Sequence, residues 1–318
     1  MGMNQKILAG LVHLMAIMFV TMIVINALGG AGYKGLFNQS TGQVSDNYKS
    51  YITPAGYTFS IWSVIYIFLG AGAIYSLASV YRKSDGSSNR VYVHPIILNW
   101  LFYVALSTNF CLNAVWMVLW DRKLMVVASI VLLLIACTGW LSFAVAVIRG
   151  KRAMEKKRDG LSKTVVFKEV RLQRILIHNG IALYTTWTTI ASLLNINIAF
   201  QYFGNTDAET TSLVCSSILL IIMLGWFFFE NTYWLDPYVR YTVTQYPVII
   251  FGTFGILSKQ AYPNRTDGPV PESVRILTWI ILGVASIQLA VRLAIVIYRY
   301  RTRPLFESEP VPTAVQNE

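Results

Sequence analysis

Residues 7–28 read ILAGLVHLMAIMFVTMIVINAL, 22 positions without a charged side chain. At a rise of 1.5 Å per residue such a helix is about 33 Å long, the thickness of a bilayer's hydrocarbon core. The run is longer than a signal-peptide core of roughly 7–15 residues, so it reads as a retained membrane helix. Seven further apolar runs follow, at 57–81, 95–120, 124–148, 173–200, 211–229, 240–258 and 275–298. Together they predict an all-α polytopic membrane bundle of eight transmembrane helices. The seventh run is the least apolar. It holds Thr242, Thr244, Gln245 and Pro247, so it is expected either to be broken or to line a polar interior.

Composition agrees. Of 318 residues, 55% are hydrophobic and 13% charged, against about 25% charged in soluble domains. The net charge of +11 is better explained by basic loops than by a nucleic-acid footprint, and no nucleic-acid partner is expected. With the N-terminus in the cytosol and the chain alternating sides, 19 of the 26 Lys and Arg fall on the cytosolic side and seven opposite. This bias predicts cytosolic N- and C-termini. Two sequons, at Asn38 and Asn264, then fall on the far side, where they are candidate glycosylation sites in a plasma-membrane or secretory-pathway protein. The segment 149–172, with Lys151, Arg152, Lys156, Lys157 and Arg158, reads as a cytosolic loop that sets topology and touches anionic headgroups. The tail 304–318 is expected to be disordered. Cys111, Cys137 and Cys215 lie in apolar runs and His13, His94 and His178 are scattered, so neither a disulfide framework nor a metal site is expected. No Ser/His/Asp or Cys/His constellation is evident, so the chain is not read as an enzyme.

Three motifs carry a resemblance. Residues 53–70 read TPAGYTFSIWSVIYIFLG, similar to the second-helix signature of the translocator protein / tryptophan-rich sensory protein (TspO/MBR) family at Pro54, Phe59, Trp62, Tyr66 and Gly70. Ala55 and Tyr57 depart from it, and the spacing from Phe59 to Trp62 is one residue shorter. Residues 109–116 read NFCLNAVW and resemble the third-helix motif at Asn113 and Trp116, with Asn109 in place of a glutamine. Residues 184–195 read YTTWTTIASLLN and resemble the fifth-helix motif at Trp187, Ala191 and Asn195, with Tyr184 at its head. The resemblance covers roughly residues 5–202, implying a five-helix TspO-like domain over 1–202. Residues 203–303 then add three transmembrane helices of unassigned role. It also implies a hydrophobic ligand, tetrapyrrole- or sterol-like, and a homodimer. Light-dependent porphyrin breakdown is associated with some members. No Lys or Arg stands where a cholesterol-recognition segment would need one, so a cholesterol preference does not carry over.

Helical spacing leads to the same residues. Positions i, i+3 and i+4 share a face. Asn109, Asn113, Trp116 and Trp120 therefore form one stripe, Tyr184, Trp187, Ala191 and Asn195 a second, and Trp62, Tyr66 and Gly70 a third. Amides avoid lipid because an unpaired polar group costs several kcal/mol in hydrocarbon. The stripes are thus expected to converge on an aromatic-walled cavity suited to a flat apolar molecule, with the glycine-bearing segment 30–56 as a mobile lid. Two other readings stay open at this level. Trp62, Trp120, Trp226, Trp234 and Trp279 also suit an interfacial belt, and Asn109 and Asn113 also suit interhelical hydrogen bonding. The expected function is a receptor, sensor or carrier for such a ligand. The alternative is an eight-helix secondary transporter or channel, and an assembly protein without a ligand is a third.

Overall fold

The structure, a computed structural model, describes residues 4–85, 88–155, 163–261 and 269–305. Eight long helices coincide with the eight apolar runs: α1 (Gln5–Ala31), α3 (Ile61–Tyr81), α4 (Trp100–Asp121), α5 (Met125–Glu155), α7 (Asn179–Phe203), α8 (Ala208–Glu230), α10 (Gln245–Gln260) and α11 (Glu272–Thr302). Three short helices join them: α2 (Thr41–Asn47), α6 (Lys163–Gln173) and α9 (Asp236–Val239). A 3-10 turn, Gly56–Ser60, leads into α3, and a π-helical turn, Arg174–His178, leads into α7. No strand occurs among the described residues. The chain is an all-α polytopic membrane protein.

The packing explains which helices face lipid. In α1 the buried residues are Leu8, Val12, Met15, Phe19, Met22, Asn26 and Gly29. Their spacing of three or four makes a single stripe. Its outer face exposes Ile17, Val20 and Val24, which only a lipid solvent tolerates along the whole length of a helix. Six helices are long and apolar enough to span a membrane: α1, α3 with its 3-10 lead-in, α4, α5, α8 and α11. Helices α7 and α10 fall short for different reasons. In α7, all eight residues from Ile181 to Thr188 are buried, so Thr185, Thr186 and Thr188 meet protein on every side. Helix α10 has only 16 residues.

Residues 240–244 form a break before α10, in the run expected to be irregular. Asn179 at the start of α7 satisfies the freed backbone there. Its Nδ2 donates to the Tyr241 carbonyl at 3.0 Å, its Oδ1 accepts from Val243 N–H at 3.2 Å, and its carbonyl accepts from Thr244 Oγ1 at 2.7 Å. Non-helical backbone at membrane depth needs such partners.

Two corrections concern the basic segment 149–172 and the C-terminal arginines. The segment is not one loop: α5 continues to Glu155 and α6 begins at Lys163. Polar residues can extend a helix beyond the bilayer, and α6 is anchored by Val166 and Val170, buried against Ile97 and Ala153. Glu169 adds a bidentate pair with Arg82 at 2.7 and 2.8 Å and accepts from Tyr75 Oη at 2.7 Å. Lys156, Lys157 and Arg158 lie outside the described residues, as do most of the tail 304–318 and Asn264. Arg240 and Arg292, two of the 19 basic residues counted on the cytosolic side, are 5% and 0% exposed. They join Glu230, Asp236 and Arg299 in an ion cluster that ties α8, α9 and α11 together.

The main apolar cluster joins α1, α3, α4, α5 and α7. A second joins α7, α8, α10 and α11 around Leu193, Leu219, Met223, Ile249 and Ile281. Helix α7 belongs to both.

Candidate functional site

A cavity of about 550 Å³ lies where the two clusters meet, below the segment joining α1 to α3. Of the residues singled out from the sequence, Pro54, Phe59, Trp62, Tyr66, Trp116, Trp187, Ala191 and Asn195 line it. The rings are ordered by contact with each other. Trp62 stacks on Tyr66 with centroids 5.6 Å apart and meets Trp187 edge-on at 6.3 Å. Trp116 stacks on Trp120, also at 5.6 Å. Offset and edge-to-face arrangements are those that aromatic quadrupoles favour.

The amides hold the walls in place. Trp116 Nε1 donates to Asn195 Oδ1 at 3.3 Å, bridging α4 and α7. Asn113 and Tyr184 do not line the cavity but sit beneath it, in a relay. Asn113 Oδ1 accepts from Asn26 Nδ2 at 2.7 Å, and Asn113 Nδ2 donates to Tyr184 Oη at 3.2 Å. Asn26 itself reaches the cavity. Asn109 is further off. Its Nδ2 donates to the Ile135 carbonyl at 2.7 Å and to Thr138 Oγ1 at 3.0 Å, both on α5. Its role in the fold is interhelical bonding, helped by Gly139, where an added Cβ would collide with Thr185.

One polar atom on the wall is unsatisfied. Trp187 is 3% exposed, and its Nε1–H has no hydrogen-bond partner among the described residues. A buried donor without a partner costs about 1–3 kcal/mol.

The lid is fastened rather than loose. Gly29 and Gly30 continue α1; only Gly32 and Gly35 adopt positive φ, +63° and +100°. Asp121, at the end of α4, accepts from Asn38 N–H at 2.8 Å, Gln39 N–H at 3.0 Å and Asn38 Nδ2 at 3.3 Å. Trp120 Nε1 donates to the Thr41 carbonyl at 3.2 Å. On the other side, Ala55 N–H donates to the Gly255 carbonyl at 2.9 Å, Gln260 Nε2 to the Tyr51 carbonyl at 3.0 Å, and Ser50 Oγ to Asn197 Oδ1 at 2.6 Å. Asn38 is exposed on the lid. Replacing Asp121 by Ala removes three charge-assisted bonds, and the lid should lose about 2–3 kcal/mol of local stability. Hydrogen exchange over residues 37–47 should then accelerate by at least tenfold while exchange in α4 and α5 stays unchanged.

Sequence patterns missed part of this site. Trp120, equally readable as a belt residue, is 4% exposed and on the cavity wall. Trp226 is packed against Trp140 at 5.2 Å and donates to Glu230 Oε2 at 3.0 Å, whereas Trp234 and Trp279 are 87% and 58% exposed. The far wall comes from the C-terminal helices: Cys215, Ser216 and Leu219 of α8, Gly252, Thr253 and Ile256 of α10, and Thr278 and Ile281 of α11. The cavity is therefore a shared product of residues on both sides of position 202. The model of the family described as TSPO-like protein matches residues 12–292. The chain belongs to that family. The matched stretch runs well past residue 202, so the helices that complete the cavity are part of the TSPO-like match and not an unmatched appendage. No curated protein and no solved structure matches the chain.

Proposed function

We propose that this TSPO-like protein binds a flat, largely apolar molecule between α3, α4, α7 and α10, acting as a receptor, sensor or carrier. The supporting observation is the convergence of Trp62, Tyr66, Trp116, Trp120 and Trp187 on the wall of one cavity. Rings at Trp62, Tyr66, Trp116 and Trp120 offer stacking surfaces, and Trp187 asks for an acceptor such as a carbonyl, carboxylate or ring nitrogen. A tetrapyrrole or a sterol-like ketone meets both demands. A cavity of 550 Å³ is within the roughly 300–1,000 Å³ of small-molecule sites.

The test is a titration of the purified protein in detergent with protoporphyrin IX, following tryptophan quenching. Saturable binding should weaken by about 100-fold in Trp116→Ala/Trp187→Ala. It should weaken by about fivefold in Trp187→Phe, which keeps a ring and loses one hydrogen bond. Affinity unchanged in both variants would reject the cavity as the site.

One observation favours the transporter reading as a second possibility. Glu230 of α8 is fully buried and paired with Arg292 at 3.4 Å, and buried ionisable groups in membrane segments often mark transport pathways. Uptake of a porphyrin into proteoliposomes that depends on a pH gradient, and fails in Glu230→Gln, would support it. We further propose cytosolic termini, on the Lys and Arg bias, and glycosylation at exposed Asn38.

A further inference from the structure

The ion cluster at the end of α8 and α11 is not neutral. Among the described residues, two carboxylates, Glu230 and Asp236, meet three guanidinium groups, those of Arg240, Arg292 and Arg299. A positive charge held out of water without a counter-charge is costly. The excess reaches the surface at one member. The Arg299 side chain is 18% exposed, whereas those of Arg240 and Arg292 are 5% and 0% exposed. Arg299 is held in place there: Nη1 lies 2.7 Å from Asp236 Oδ1, and Nη2 donates to the Asn231 carbonyl at 2.8 Å.

One turn further along α11, Arg303 adds a second cation on the same side. Both guanidinium groups lie over the Tyr233 ring, at 5.9 Å for Arg299 and 5.0 Å for Arg303. The Arg303 carbonyl accepts from Arg240 Nη1 at 2.6 Å, so the end of α11 is fixed to the cluster. The Arg303 side chain is exposed and makes no ion pair among the described residues. Around this pair the surface is aromatic. Tyr233 and Trp234 are 70% and 87% exposed, and Phe228 and Phe229, at the end of α8, are 67% and 59% exposed. Helices α8 and α11 are both of membrane-spanning length and apolarity, so their ends lie near the level where acyl chains give way to headgroups.

We propose that Arg299, Arg303 and Tyr233 form a binding site for the phosphate of an anionic phospholipid. The phosphate lies against the two guanidinium groups and supplies the negative charge that the cluster lacks, and Tyr233 Oη can donate to it. The exposed rings of Phe228, Phe229 and Trp234 meet the acyl chains, which a soluble phosphate does not have. Arg301 carries the same charge two residues from each partner, about 200° around the helix from Arg299, and takes no part. The site is separate from the aromatic cavity and does not depend on what binds there.

The test titrates the full-length protein in detergent with dioctanoyl phosphatidylglycerol and with dioctanoyl phosphatidylcholine, counting bound lipid by native mass spectrometry. The anionic lipid should bind at least about tenfold more tightly. Its affinity should fall about fivefold in Arg303→Gln and about 30-fold in Arg303→Glu, at roughly fivefold per unit charge. Arg301→Gln should change it less than about twofold. Thermal unfolding without lipid should be unchanged in all three, because the Arg303 carbonyl that Arg240 holds remains. Equal losses in Arg301→Gln and Arg303→Gln would mean a diffuse basic surface and would overturn the site, as would equal binding of the two lipids. Displacement by equimolar inorganic phosphate at constant ionic strength would make a soluble phosphate the ligand. A tenfold gain in Glu307→Gln/Glu309→Gln would make the chain's own acidic tail the occupant. Either result would overturn the lipid assignment.

Discussion

Replacing Arg292 by Ala should destabilise the protein by about 3–5 kcal/mol, the loss expected when a buried ion pair is broken from one side. Arg292 is fully buried on α11. Its Nη1 donates to Asn231 Oδ1 at 2.8 Å, and its Nη2 donates to the Val239 and Arg240 carbonyls, both at 3.2 Å. Glu230 and Asp236 each lie 3.4 Å from it. Asp236 has other cations, Arg240 at 2.6 Å and Arg299 at 2.7 Å, so it would survive the change. Glu230 has no other cation within ion-pair distance among the described residues. It would be left as a carboxylate at 0% exposure, held by Trp226, Gln245 and Tyr246 alone. The consequence is specific. Arg292→Met/Glu230→Gln removes both charges, and it should recover most of the stability lost in Arg292→Met. Thermal unfolding in detergent, compared across the two single variants and the double, measures the coupling. A double variant no more stable than Arg292→Met would show that Arg292 acts through its carbonyl contacts and not through Glu230.

That cluster also marks what a sequence cannot disclose. Arg240, Arg292 and Arg299 read as surface charges because the chain shows only which end of a helix they occupy. Their burial depends on α9, a four-residue helix whose Asp236 turns back toward α11, and no periodicity announces such a turn. The spans were plainer. A stripe such as Leu8, Val12, Met15, Phe19 and Met22 and an uncharged run of bilayer length need no tertiary knowledge. The site was legible in halves. Trp62, Trp116, Trp187 and Asn195 could be found because helical spacing and the TspO-type motifs agreed on them. Asn109 shared a stripe with Asn113 and Trp116, yet it lies nearly two turns from Trp116 and meets α5 instead of the cavity. The wall from α8, α10 and α11 was not legible. Small or aliphatic residues such as Gly252, Thr253 and Ile281 look like ordinary helix packing until the opposing helix is known.

The cavity's dependence on those helices has a sharp consequence at Gly252. A Cβ built there stands 3.6 Å from Trp187 Cζ3 and 3.7 Å from Ile190 Cδ1, ordinary contact distances. A Cβ thus meets only side-chain atoms at ordinary contact, and glycine inside a helix is replaced at little or no cost in propensity. Gly252→Phe would set a ring against Trp187, where the proposed ligand must stack and find its donor. Protoporphyrin affinity should fall by at least about 100-fold, some 2.7 kcal/mol, with thermal stability equal to or above that of the unsubstituted chain. The comparison with Trp187→Phe separates two causes: one variant removes a hydrogen bond, the other removes space. If Gly252→Phe binds as the unsubstituted protein does, the ligand does not lie between α7 and α10. The C-terminal helices would then brace the bundle without forming the site. If binding is lost and the fold kept, α10 is part of the recognition surface. The ligand preference of this TSPO-like chain is then set jointly by Trp187 and by the helices beyond residue 202.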